Sequence, residues 1–190
     1  MITDIIKKLK PFLADERKQI AEKTSKAISM LQAKQLIANA YQSYDKLNEP
    51  TKTRILMKIS DIQPGVGFEF ISKALDDENP RVRAIAVKVT IELNEPRLIQ
   101  KIAKLVNDID PTVRKLAYEY LGLFPLPQVS SVLNKKLLAE DNKESLSSLI
   151  KSTGNIGNPE SVEYLIKILE KNNDELLIEL TIEALGKIKL

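Results

Sequence analysis

Two stretches of the chain space their apolar residues alike. After Asn79-Pro80 they fall at Val82, Ile85, Ala86, Val89 and Leu93; after Asp110-Pro111 they fall at Val113, Leu116, Ala117, Tyr120 and Leu121. An i, i+3, i+4, i+7 pattern lines one face of an α-helix, so each stretch predicts a helix with a buried stripe. Asn79 and Asp110 suit the N-cap position, where a side-chain oxygen takes up an otherwise unpaired amide. Proline at the first helical position loses no intrahelical bond. A second kind of helix opens at another set of prolines, most clearly in "GNPESVEYLIKILEK" over 157–171, where Val162, Leu165, Ile166 and Leu169 form the apolar face.

The two kinds recur with one period. "DDENPRVRAIAV" at 76–87 returns as "NDIDPTVRKLAY" at 107–118, 31 residues later. Prolines at 64, 96, 127 and 159 are spaced by 32, 31 and 32; a second series stands at 50, 80 and 111. Glycines at 122, 154 and 186 are 32 apart, and each is expected to supply the left-handed residue that ends a helix. Lysines at 73, 104, 135 and 167 each precede a Leu or Val by two residues. Markers sharing a period predict a repeat array. One helix pair cannot bury both apolar faces, so neighbours stack and share a core, with layers about 8–10 Å apart. Small residues such as Ala86 and Ala117 let the helices approach closely. The predicted array covers 48–190, with pairs at about 48–76, 77–107, 108–140 and 141–172 and a lone first helix at 174–188. Residues 1–47 lack both proline series. Ile2, Ile5, Ile6, Leu9 and Leu13 predict a short amphipathic helix there; Ala33, Leu36, Ile37, Ala40, Tyr41, Tyr44 and Leu47 predict a longer one. The expected role is an N-terminal helical cap, with a docking or membrane-surface helix as the other reading of the first stripe.

Composition narrows the chemistry. The 190 residues are 43% hydrophobic and only 5% aromatic, without tryptophan, which suits stacked helices built on Ile, Leu, Val and Ala. No apolar run approaches the roughly 18–20 residues of a membrane span. The opening "MITDIIKKLKPFLADERK" has neither an uninterrupted apolar region nor a small-residue cleavage site, so a cytoplasmic location is expected. Cysteine and histidine are both absent. That removes disulfides, thiolate metal sites, the commonest metal ligand and the commonest general base near neutral pH. No catalytic, cofactor-binding or metal-ligating set emerges, and an enzyme is not expected. The net charge is +3 and unevenly placed: residues 1–107 carry 19 basic and 13 acidic side chains, residues 108–190 carry 10 and 13.

"DPTVRKLAYEYLGLFPLPQVSSVL" at 110–133 resembles a HEAT repeat of the short variety also found in phycobilisome-lyase-like proteins. In that pattern an Asp-x-x-Val-Arg opening leads to an apolar face, then Leu-Gly, then a Pro-headed second helix. The resemblance covers about 48–188 and is strongest in the second and third pairs. The first pair has Arg54 one residue late, and the fourth has "DNKESLSSLI" where Asp-Pro-x-Val-Arg would stand. The resemblance implies an all-α, right-handed α-solenoid, with first helices on the convex side and second helices on the concave side. It also implies that Asp77, Arg83, Asp108 and Arg114 form a structural ladder that bridges units or bonds helix ends. HEAT-like di-iron hydroxylases rely on His-Glu pairs and HEAT-like DNA glycosylases on aromatics including tryptophan, and this chain has neither histidine nor tryptophan. The repeat alone carries no lyase activity over.

The expected function is therefore a non-catalytic protein-interaction scaffold. Lys73, Lys104, Lys135 and Lys167, with Arg97 and Lys101, would line the concave groove and receive an acidic segment of another protein. Nucleic acid is the alternative, since phosphates attract the same side chains. Against it stand Glu160, Glu163 and Glu170 on the last second helix and the scarcity of aromatics. In "DELLIELTIEALGKIKL" at the C-terminal end, Leu176, Leu177, Leu180 and Leu185 predict an exposed apolar patch. A second copy of the chain, a partner protein or further repeats would cover it, and self-association as a two-fold pair is the simplest closed solution.

Overall fold

The computed structural model describes residues 1–62 and 66–189, so Pro64 of the first proline series lies outside the described residues. Eleven α-helices and no strands occur among them. Two helices lead: α1 (Ile2–Leu9) and α2 (Lys18–Gln42). The first helix of each layer is α3 (Glu49–Ser60), α5 (Pro80–Glu92), α7 (Pro111–Leu121), α9 (Lys143–Ile156) or α11 (Glu175–Lys187). The second helices are α4 (Phe68–Ala74), α6 (Ile99–Ile102), α8 (Pro127–Leu137) and α10 (Val162–Lys171). The second helices that begin at Pro96 and Pro159 start as short 3-10 turns, Pro96–Leu98 and Pro159–Ser161.

Each first helix packs on the next one, and each second helix packs on the first helix that follows it. The result is an α-solenoid: two rows of helices sharing one core. Its register is set by the N-caps. Asn48, Asn79, Asp110, Asn142 and Asp174 each accept an amide of the first turn, at 2.8–3.2 Å. They stand 31, 31, 32 and 32 apart. The same offset from the cap gives Leu56, Val87, Tyr118 and Ile150, all fully buried. Ala86 and Ala117 are equally buried.

The glycine series works differently from the expectation. Gly122 has φ −61°, and Gly154 and Gly186 lie inside α9 and α11. Among the described glycines, Gly67 and Gly157 adopt positive φ, and Gly157 at φ 69° ends α9. The series marks close approach instead. A Cβ on Gly122 would stand 2.7 Å from the Ser152 side chain, and one on Gly154 would stand 2.7 Å from the Ala184 Cα. The departure "DNKESLSSLI" has the same origin. Ser145 donates to the Pro111 carbonyl at 2.7 Å and Ser148 to Glu119 at 3.1 Å, both buried where α9 lies against α7. Small hydroxyl side chains let the backbones come together while remaining hydrogen-bonded.

The C-terminal patch is only partly exposed. Leu177 and Leu180 are buried, with Ala184 and Ile188, because α11 turns that side to α9 and α10. Leu185 is half-buried against the core, while Leu176 stays 47% exposed and Ile182 is 58% exposed. At the N-terminal end α2 packs on α4, placing Ile37, Ala40 and Tyr44 in the core beside Phe70. Leu36 and Tyr41, expected on its apolar stripe, face outward. None of the described helices is long and apolar enough to cross a membrane.

Candidate functional site

Four positions past each N-cap of the first three layers stands a basic residue: Lys52, Arg83 and Arg114. Each reaches the carboxylate that precedes the next N-cap. Lys52 Nζ meets Asp77 Oδ2 at 2.7 Å. Arg83 holds Asp108 through Nε and Nη2, both at 2.7 Å. Arg114 holds Glu140 through Nε at 2.8 Å and Nη2 at 2.7 Å. The two arginines also donate Nη1 to carbonyls of their own layer's loop, at Asp77 and Glu78, and at Asp108 and Ile109. Each carboxylate in turn accepts the amide two residues on, of Asn79, Asp110 or Asn142. These groups are mostly buried: the Asp108 side chain is 5% exposed and that of Glu140 1%. Planar bidentate pairs of this kind fix geometry as well as charge. Asp77, Arg83, Asp108 and Arg114 therefore stitch loop to loop.

Arg54 is not part of the ladder; it is exposed, and Lys52 holds the equivalent register. The period of the caps, counted back from Asn79 to Asn48, identifies Lys52, whereas the proline at 50 misplaces the register by one residue. In the fourth layer the ladder stops on both sides at once. Leu146 stands in the arginine register and Asn172 in the carboxylate register, so no buried charge is left alone.

Burial would raise the Asp77 carboxyl, but hydrogen bonds from Lys52, Tyr44 and the Asn79 amide hold it below its ordinary value. Glu140 is likewise pushed up by burial and brought below its usual value by Arg114, Tyr118 and the Asn142 amide. A depressed carboxylate contributes stability that is whole above its unfolded pKa, about 4, and is lost as pH falls through its folded pKa. Glu140→Gln should therefore be much less stable than the native chain at pH 7, and the gap should narrow steadily below about pH 4. Denaturant melts across that range measure it.

The second-helix lysines divide into two groups. Lys73 pairs with Asp45 at 2.8 Å and lies over the Tyr44 ring. Lys101 pairs with Asp76 at 2.6 Å and also donates to the Ser72 carbonyl. Arg97 is bidentate on Glu95 and stacks on Phe68, 4.2 Å from the ring centroid. Lys167 pairs with Glu163 at 2.5 Å. Lys104 and Lys135 are exposed and make no ion pair among the described residues. They sit on the 3-10 turn Ala103–Asn107 and on α8, which pack against each other. Sequence reasoning named six cations of equal standing. Three of the four are engaged by acids of neighbouring loops or turns, Asp45, Asp76 and Glu95, and Lys167 by Glu163 one turn back on α10; the period of the lysines does not reveal them.

An open cleft of about 540 Å³ at the first layer is lined by Tyr44, Asp45, Glu49, Lys73, Asp76 and Asp77 among others. Its acids are largely engaged by Lys52, Lys73, Lys101 and Arg81. No group of His, Cys, Asp and Glu suited to a metal ion occurs among the described residues.

Comparison with known proteins agrees with this geometry. Residues 68–150, from α4 into α9, match the family described as HEAT repeats. That matched segment is similar to HEAT repeats, and the described residues form a helical repeat array. Among solved structures, an engineered protein superimposes with a TM-score of 0.61 at 18% identity, over 97% of this chain and 58% of its own. A second engineered protein gives 0.53 at 18% identity, over 96% of this chain and 78% of its own. A designed armadillo repeat protein in complex with the peptide (KR)4 gives 0.59 at 17% identity, over 96% of this chain and 98% of its own. No curated protein matches the sequence.

Proposed function

We propose that this chain is a non-catalytic protein-interaction scaffold whose row of second helices receives an acidic segment of a partner protein. The observation that carries the reading is the pair Lys104 and Lys135. They are the two cations of the predicted groove that make no ion pair among the described residues, and they stand on the 3-10 turn Ala103–Asn107 and on α8, which pack against each other. Exposed Leu138 at the end of α8 and Ile166 on α10 add apolar surface to the same row. The designed armadillo neighbour binds a peptide, which supports peptide capture by this architecture. That peptide is basic, whereas the free charges here are lysines, so the segment they complement is acidic. The exposed Glu160, Glu163 and Glu170 on and beside α10 disfavour a long polyanion such as duplex nucleic acid.

The test is fluorescence anisotropy with a short labelled peptide of alternating Glu and Leu. Binding should weaken about tenfold or more in Lys104→Glu with Lys135→Glu, with the melting temperature nearly unchanged because exposed charges contribute little to folding. A matching Lys-Leu peptide should not bind at the same site. Affinity indifferent to both reversals would place the interaction elsewhere.

A further inference from the structure

The two ends of the first-helix row carry opposite charge, on faces whose central registers, those of Ile182 and Lys58, are buried in the other layers. On α11 the side that would meet a following layer presents Glu175, Glu179, Ile182 and Gly186, all exposed. The same register as Ile182 is filled by Leu56, Val87, Tyr118 and Ile150, each fully buried. Gly186 has nothing within 4 Å of its open Cβ position, whereas Gly122 and Gly154 are each closed off by the next first helix. On α3 the side that would meet a preceding layer presents Arg54 and Lys58, both exposed. The register of Lys58 is occupied in the later layers by Val89, Tyr120, Ser152 and Ala184, at most 4% exposed. The α2 helix does not cover this side, since it lies along α4.

We infer that a second copy of this chain docks head to tail, its α3 face of Arg54 and Lys58 seated on the α11 face of Glu179 and Ile182. The register of the existing layers says how. Glu119 on α7 meets Ser148 on α9 at 3.1 Å, and the equivalent positions on α11 and α3 are Glu183 and Arg54. Glu183 holds Lys187 within its own helix at 2.8 Å and has a free oxygen for a second cation. Gly186 would receive α3 as Gly154 receives Ala184. The incoming copy also brings α2, which heads its second-helix row, to the side where Ile182 is bare; at that register Tyr118 donates to Glu140 just past its own second helix. The uneven charge of the two halves of the chain favours the same polarity. A two-fold pairing of α11 with itself is disfavoured, because it would set Glu175, Glu179 and Glu183 against their own copies. Contact between unlike faces is heterologous, so it propagates to a filament or closes to a ring.

Sedimentation velocity on the full chain across a concentration series tests this, with Glu179→Lys/Glu183→Lys as one variant and Arg54→Glu/Lys58→Glu as the other. The native chain should grow in mass with concentration, and about 0.5 M salt should weaken its association. Each variant alone should associate about tenfold less well or worse, and an equimolar mixture should restore assembly, because the reversed faces complement one another. The idea is overturned by a native chain that stays monomeric at every concentration. It is equally overturned by salt-indifferent association, or by an α3 variant that still associates alone, which would point to α11 pairing with itself. Variants that both melt like the native chain yet do not assemble when mixed would also end it.

Discussion

Arg83→Ala should lower the unfolding free energy by about 3–5 kcal/mol, the cost of leaving a buried carboxylate without its partner. The guanidinium supplies both bonds to Asp108 and ties the Asp77 and Glu78 carbonyls to the same layer. Its removal therefore loosens the joint between the second and third layers rather than a single contact. At about 2–4 °C per kcal/mol for a chain of this length, the midpoint should fall by roughly 10 °C. The double replacement Arg83→Met with Asp108→Leu should recover most of that loss, since an apolar pair of similar size replaces a buried ion pair at little net expense. The chain contains its own precedent in Leu146 and Asn172, where both charged positions are vacated together. Denaturant melts of the three proteins separate the outcomes. A single variant within about 0.5 kcal/mol of the native chain would show that the ladder is an exposed ornament rather than a joint.

The second large effect pairs two glycines in one register. Gly154→Ala should destabilise by about 1–3 kcal/mol, even though alanine is the better helix former by about 1 kcal/mol. Its methyl group would lie 2.7 Å from the Ala184 Cα, a backbone atom that cannot move aside without shifting α11. Gly186→Ala meets nothing within 4 Å, so the helix propensity term stands alone and the dilute monomer should gain up to about 1 kcal/mol. Opposite signs from the same substitution at equivalent positions would show that the glycines serve packing between layers rather than helix termination. Equal signs would contradict that reading.

Much of the fold is legible in the sequence, because stacked layers repeat their physical requirements at a fixed interval. The caps Asn79 and Asp110, the prolines that follow them and the buried Ala86 and Ala117 all announce themselves. Position within the layer is harder to read. A glycine shortly before a loop looks like a helix ending, yet Gly154 lies within α9, because the need is for a missing side chain and not for a left-handed backbone. Lys52 takes the arginine role because its ammonium reaches the same carboxylate, a substitution that a motif with arginine does not anticipate. The α11 leucines divide between core and solvent according to the rotation of one helix, and an almost continuously apolar sequence does not specify that rotation. The groove lysines lose their equivalence for a related reason. Asp45 and Asp76 reach Lys73 and Lys101 from turns whose placement follows from the stacking, while Glu95 and Glu163 engage Arg97 and Lys167 from two and four residues away in the chain.

The most direct measurement of the central claim is a nitrogen-15 NMR titration of the whole chain with the acidic Glu-Leu peptide. Amide shifts should concentrate on residues around Lys104 and Lys135 and extend along α8 toward Leu138, while the buried ladder at Arg83 and Arg114 stays still. Shifts centred on α3, α5 or α11, or none at peptide concentrations that saturate anisotropy, would contradict the assignment of partner binding to the second-helix row.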